Sequence, residues 1–125
     1  MKRRDILFRL KIDNTIVGYQ KINLHKKIFY SKDLYAWSSN PIEYLDKDIF
    51  SGYLDRNNRK LFVSDIVYLR TTEKPKPGIL CEVKQNEVDC FYYLENIDSR
   101  EVYLFEVNDI VLIQKNKLSF KGYRQ

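Results

Sequence analysis

Apolar and polar residues alternate at the start of the chain with the period of two that is typical of a half-buried β-strand. In residues 5–12 every even-numbered position is apolar. Asp13-Asn14 then predicts a turn, because both residue types tolerate the backbone angles of tight turns. Residues 16–24 are again rich in apolar side chains and are the expected return strand. The opening of the chain therefore predicts a β-hairpin.

The stretch 49–70 holds the clearest strands and the clearest turn of the chain. Aromatic and β-branched side chains favour an extended strand at 49–54. The run DRNNR at 55–59 predicts a turn, since Asp and Asn bond their own main chain. Extended structure is expected again at 61–63 and at 65–70, where an acidic residue precedes an apolar run.

The rest of the chain has the pattern of a β-meander. A loop is expected at 71–78, where Pro75 and Pro77 cannot donate to a sheet ladder. After it, a hairpin that turns at 85–87 and two further strands are predicted. The predicted strands are 79–84, 88–94, 99–105 and 110–114. Together with 65–70 they make five short, closely spaced strands, which is typical of a small barrel or a sandwich.

Only one place favours a helix. Asn40 is a good helix cap, and Pro41 suits the first helical position, so residues 41–45 are predicted as at most one short helix. Residues 34–37 form another short apolar piece. The expected fold class is therefore mainly β.

The motif residues of the central stretch resemble the YopX family of phage and prophage proteins. They are Gly52, Asp55, Asn57, Arg59, Leu61, Phe62, Asp65, Ile66 and Val67. The opening RDILFR at 4–9 is similar to the start of such proteins, whereas Ser64 stands where the family usually has Gly. The resemblance implies an SH3-like small barrel with an N-terminal extension and a phage or prophage origin. It implies no established activity and no catalytic residue.

By length the 125 residues form a single domain. Within it we expect an N-terminal β extension at 1–48, an SH3-like barrel at 49–114 and a basic C-terminal tail at 115–125. No apolar run approaches the about 18 residues of a membrane-spanning helix. The start of the chain carries charges where a signal peptide would be apolar. The expected compartment is the cytoplasm of a bacterial host, with no membrane partner.

The formal charge of +5 belongs to the two ends of the chain. Seven basic residues lie there with no acid among them, which leaves 15 basic and 17 acidic residues at positions 5–114. These seven are the candidate phosphate contacts of a nucleic-acid-binding protein. They are Lys2, Arg3, Arg4, Lys115, Lys117, Lys121 and Arg124.

Few residues suggest catalysis or metal binding. If the hairpin turns on residues 85 and 86, Cys81 faces Cys90 in a geometry that permits a disulfide. Two reduced cysteines that act as small apolar side chains are the preferred interpretation. His25 has no visible catalytic partner, and Asp46 and Asp48 are expected to form a solvated charge run. The sequence therefore predicts no enzyme, no metal and no cofactor.

Tyrosine is the unusual surplus, with 10 Tyr beside 7 Phe. Neighbours such as Tyr92 and Tyr93 must point to opposite faces of a strand, so one of each pair faces outward. The candidate interaction residues are Tyr53, Tyr68, Tyr92, Tyr93 and Tyr103. We expect a non-enzymatic protein-interaction or self-assembling module, with an unknown protein or a second copy as partner. The alternative is a nucleic-acid-binding small barrel that uses the basic ends.

Overall fold

The computed structural model describes residues 5–70, 78–105 and 109–114, with side chains for all of these except 70, 109 and 111–114. Ten strands and no α-helix are present in these residues. The strands are β1 (Ile6–Ile12), β2 (Thr15–Ile22), β3 (Ile28–Ser31), β4 (Asp46–Leu54), β5 (Lys60–Phe62), β6 (Ile66–Arg70), β7 (Ile79–Gln85), β8 (Tyr92–Asn96), β9 (Val102–Tyr103) and β10 (Asp109–Gln114). The mainly-β class is confirmed.

The strands form two five-stranded sheets, in the orders β3-β2-β1-β4-β5 and β10-β6-β7-β8-β9. All the strand pairs with a described register are antiparallel. Neither sheet is closed as described, so the SH3-like barrel stays a prediction. The chain divides into two compact units, residues 1–50 and 51–125. β4 begins in the first unit and ends in the second.

The first unit is built on the predicted hairpin. Ile12 pairs with Thr15, so the β1–β2 connection is the two residues Asp13 and Asn14. Their φ angles of 48° and 72° are those of a type I′ turn, which matches the natural twist of a hairpin. Gly18 of β2 permits a close approach, because a Cβ there would lie 2.7 Å from the Cδ1 of Ile42.

The predicted helix at 41–45 is absent. Ile42 instead packs against Gly18 of β2, and the Leu45 amide donates to the Lys11 carbonyl of β1. These tertiary contacts override the local signal of Asn40 and Pro41. The apolar piece at 34–37 contains a bend, and its Leu34 has a φ of 72°.

The second unit has an apolar core on one face of its sheet. The buried residues of this core are Leu61, Val67, Leu69, Cys81, Val83, Leu94, Phe105 and Ile110. Along β7 the members of the core are Cys81 and Val83, which are two residues apart as the pleat requires. Leu94 of β8 pairs with Val83 of β7, and Val67 of β6 pairs with Cys81. The core therefore follows the alternation of the strands.

The predicted turn at 85–87 is wrong, because the β7–β8 connection is a longer loop. Cys81 pairs with Asn96, and the last paired residues of the hairpin are Gln85 and Tyr92. The loop is held by Asn86, whose side-chain oxygen accepts hydrogen bonds from the amides of Val88 and Asp89. Cys90 therefore lies in this loop and does not face Cys81.

Four hairpin loops share one construction. In each, the first residue is Asn or Asp, and its side-chain oxygen accepts hydrogen bonds from two backbone amides further along the loop. A later residue of the same loop has a left-handed backbone, with φ between 60° and 68°. The pairs of first and left-handed residues are Asn23 and Lys26, Asp55 and Asn58, Asn86 and Cys90, and Asn96 and Arg100.

Ser64 is another non-glycine residue in the left-handed region, with a φ of 83°. An L-residue there carries a steric cost of about 1–2 kcal/mol that glycine does not. We expect Ser64→Gly to raise the free energy of unfolding by about 1 kcal/mol, after the entropy cost of glycine is subtracted. Urea denaturation measures the change. The matched control is Ser39→Gly, at a position without a positive φ, and it should lower stability by a few tenths of a kcal/mol. A loss of stability in both variants would contradict the prediction.

Candidate protein-interaction surface

The sheet of the second unit presents a second face, opposite to its core. On β8, Leu94 belongs to the core, whereas Tyr93 and Glu95 point to the opposite side because successive side chains alternate. Tyr93 pairs with Lys84 of β7, and Glu95 pairs with Val102 of β9. We call the side chains of Lys84, Phe91, Tyr93, Glu95 and Val102 the β7–β9 surface.

Apolar groups on the β7–β9 surface are open to solvent. Phe91 is 44% exposed and Val102 is 56% exposed. The rings of Phe91 and Tyr93 form a tilted pair with centroids 5.8 Å apart. Val88, in the β7–β8 loop that precedes Phe91, is 88% exposed. Aromatic side chains in such exposed clusters are typical of protein–protein contacts.

An ion network crosses this surface. Glu95 Oε1 lies 3.0 Å from Lys84 Nζ and 3.2 Å from Arg100 Nη1. The hydrogen bond with Lys84 lowers the pKa of Glu95, and the hydrogen bond with Glu95 raises the pKa of Lys84. Because the pKa of Glu95 is lower in the folded state, its small stabilising effect is present at neutral pH and is lost as the pH falls through that lowered value.

The segment that carries the β7–β9 surface is acidic. Residues 82–101 hold six acidic and two basic residues, and both basic residues are bound to Glu95. Four of the acids lie in the loops at the two ends of β8. They are Glu87, Asp89, Asp98 and Glu101, and all four are exposed. The surface is therefore an exposed apolar patch between two acidic loops.

The five candidate tyrosines do not share one face. Tyr92 and Tyr103 pack against the apolar core, while Tyr93 lies on the β7–β9 surface, so the predicted split between Tyr92 and Tyr93 is present. Tyr68 lies on the same side of the sheet as Tyr93 and is half-buried. Tyr53 is stacked on Phe105, with centroids 4.2 Å apart and an angle of 5° between the rings.

Phe91, Val102 and the acidic loops are parts of this surface that were not predicted from the sequence. The excess of acidic over basic residues at 82–101 is the sequence signal that could have located them. The seven candidate phosphate contacts, from Lys2 to Arg4 and from Lys115 to Arg124, lie outside the described residues.

The carboxylates of Asp46 and Asp48 both lie near cations of β1. Asp48 is buried, with Oδ2 at 2.7 Å from Arg9 Nη2 and Oδ1 at 3.0 Å from Lys11 Nζ. The interpretation as a solvated charge run is therefore wrong for Asp48, because the two cations of β1 lie on the same face. Asp46 is exposed and lies 3.9 Å from Lys11.

His25 and the cysteines show no catalytic arrangement in the described residues. His25 is exposed in the loop that Asn23 begins. Cys81 and Cys90 are free thiols, and burial raises the pKa of Cys81 to about 12. In the part of the chain that is described, no three His, Cys, Asp or Glu side chains are placed to hold a metal ion.

The thiols can be tested by chemical labelling. We expect one thiol per native chain to react with a disulfide reagent, because Cys90 is exposed while Cys81 is buried and protonated. Two thiols should react in denaturant without a reductant, and the Cys90→Ser variant should show none in the native state. A native count of zero in the unaltered chain, restored by a reductant, would indicate a disulfide and contradict the structure.

Polar features of the first unit are satisfied within the fold. Lys47 Nζ lies 4.1 Å from the Phe8 ring centroid and 3.1 Å from Gln20 Oε1.

A shallow depression of about 370 Å³ lies beside β3 and is lined in part by Ser31, Asp33 and Ile42. The hydrogen bond from the Ala36 amide is the main cause of the lowered pKa of Asp33. The Asp33 carboxylate also accepts a hydrogen bond from the amide of residue 35, so it stabilises the bend that follows it.

The architecture defines a mainly-β protein of two sheets with an acidic, partly aromatic surface on the second. The chain matches no protein-family model, no curated protein and no solved structure. Within the described part of the chain, no helix has the length and apolar character that a membrane crossing needs.

Proposed function

We propose that this chain is a non-enzymatic protein-interaction module whose β7–β9 surface is its binding site. The observation that carries the proposal is the ring pair of the exposed Phe91 and the half-buried Tyr93 between two acidic loops. Folded domains usually bury such rings or use them at interfaces, where they supply contact area at a small entropic cost.

We further propose that the chain is a YopX-like protein of phage or prophage origin and that it acts in the host cytoplasm. Residues 49–114 would form an SH3-like barrel. Two contacts within the second unit support that barrel. The amide of Arg56, in the β4–β5 loop, donates to the Ile110 carbonyl of β10, and Tyr53 of β4 stacks on Phe105. An experimental structure would test closure by looking for further hydrogen bonds that join the two sheets.

The binding surface can be tested by affinity capture from the bacterial host. The double variant Phe91→Ser, Tyr93→Ser removes the aromatic pair from the surface. The control variant Tyr35→Ser, Leu45→Ser removes two side chains of the first unit that are 89% and 73% exposed. We expect the control to capture the same proteins as the unaltered chain and the double variant to lose them. Identical captured sets for all three chains would refute the proposed surface.

Nucleic-acid binding is the second candidate, because the seven cations at the two ends occur without any acid. Its weakness is the acidic character of residues 82–101, which would repel phosphate groups. A labelled single-stranded oligonucleotide should be titrated at 50 and 200 mM salt. If six or more phosphates of the single strand are contacted, the affinity should fall by about 300-fold or more between these concentrations. Undetectable binding at 50 mM salt would exclude this candidate.

A further inference from the structure

We propose that the β7–β9 surface receives the basic segment 115–125 of a second copy of this chain. This inference rests on the proposed function and specifies the partner. The acidic surface belongs to residues 82–101, whereas the complementary charge belongs to a different part of the same sequence. Association of this kind joins two unlike patches, one from each copy.

Charge complementarity is the first argument. Residues 82–101 hold six acids, and the two bases among them are already bound to Glu95. Segment 115–125, KNKLSFKGYRQ, holds four basic residues and no acid. Opposite potentials of this kind steer association and select the partner.

Spacing is the second argument. The acidic loops lie at the two ends of β8, whose five residues span roughly 17 Å. Lys115 and Lys121 are six positions apart, which corresponds to about 20 Å in an extended chain. Leu118 and Phe120 lie between these two lysines. The segment therefore has apolar residues between cations, as the surface has apolar residues between acids.

A heterologous contact has a distinctive consequence. Each copy keeps one unused surface and one unused segment after the first contact, so association continues into a series of oligomers unless a ring closes. We expect the weight-average mass from sedimentation velocity to increase with protein concentration. We also expect association to weaken about tenfold or more between 50 and 500 mM salt, because exposed ion pairs are screened.

Two variants separate the two halves of the contact. The surface variant carries Glu87→Gln, Asp89→Asn and Glu101→Gln, at three exposed loop positions. The segment variant carries Lys115→Gln, Lys117→Gln, Lys121→Gln and Arg124→Gln. Each variant alone should associate about tenfold more weakly than the unaltered chain. An equimolar mixture should form a one-to-one dimer and stop there, since only one intact surface and one intact segment meet.

The matched control carries Asp5→Asn, Asp13→Asn and Glu43→Gln, which neutralise three exposed acids of the first unit. It should associate like the unaltered chain. A strictly monomeric unaltered chain would overturn the inference, as would a mixture of the two variants that does not dimerise. Equal weakening in the control would overturn it as well, because it would show a dependence on net charge alone. A monomer that still loses captured proteins in the Phe91→Ser, Tyr93→Ser variant would leave the proposed function standing.

Discussion

Replacing Asp48 by alanine is expected to lower the free energy of unfolding by about 3–5 kcal/mol, because the removal of one partner leaves buried charge uncompensated. The Asp48 carboxylate bridges Arg9 and Lys11, at 2.7 and 3.0 Å. The three side chains are only 1%, 6% and 7% exposed for Arg9, Lys11 and Asp48. Water therefore cannot replace the carboxylate without opening the structure around it.

Fluorescence of the single tryptophan can measure this loss in urea. Trp37 belongs to the first unit, where its indole Nε1 donates to the Leu34 carbonyl at 3.2 Å. Asp46→Ala is the matched control, since Asp46 lies two residues away, is 74% exposed and is 3.9 Å from the same lysine. The control should lose less than about 1 kcal/mol. Similar losses in the two variants would contradict the prediction, because the buried Asp48 would then stabilise the fold no more than the exposed Asp46 does.

The local elements of the fold could be predicted where side-chain chemistry acts over a few residues. The Asp13-Asn14 turn and the Asp55–Arg59 turn are both present, because Asp and Asn stabilise turns through their own side chains. The alternation in β1 correctly predicted that Leu10 is buried, but it was wrong for Arg9 and Lys11, which are also buried, and for Ile6, which is 46% exposed. Three residues of the central stretch 49–70 have structural roles of this kind. Asp55 holds a turn, and Leu61 and Val67 belong to the core.

Strand register in the second unit could not be predicted in the same way. Glycine is the usual sequence signal for the left-handed residue of a hairpin loop. Here Cys90 and Arg100 occupy those positions, with φ of 60° and 68°. Without that signal the β7–β8 loop was predicted too short, and Cys81 was placed opposite Cys90 instead of Asn96.

Long-range pairing explains the other errors. Asp48 is buried because β4 pairs with β1 so that Asp48 faces Arg9, which is 39 residues earlier. No local pattern near Asp48 indicates that partner. The β7–β9 surface depends in the same way on the pairing of β8 with β7 and β9. Only the opposite orientation of Tyr92 and Tyr93 could be predicted from one strand.

The second large effect is expected for Asp55→Ala, which should lower the free energy of unfolding by about 2–3 kcal/mol. The Asp55 side chain is fully buried and accepts hydrogen bonds from the amides of Asn57 and Arg59, each at 2.9 Å. It also forms an ion pair with the Arg59 side chain at 2.8 Å. Alanine would leave the amides of Asn57 and Arg59, whose hydrogen bonds are partly buried, without their acceptor, which costs part of the desolvation energy of each group.

Asp55→Asn separates the hydrogen bonds from the charge. An amide oxygen can hold such a turn, since Asn23 accepts from the amides of His25 and Lys27 in the same pattern. We therefore expect Asp55→Asn to lose only about 1 kcal/mol, because Arg59 is 46% exposed and water can replace its lost partner. Labelling of Cys81 in a Cys90→Ser background reports unfolding of the second unit, because this thiol is buried in its core. If Asp55→Asn proved as damaging as Asp55→Ala, the ion pair rather than the turn hydrogen bonds would have to be the main source of stability at this loop.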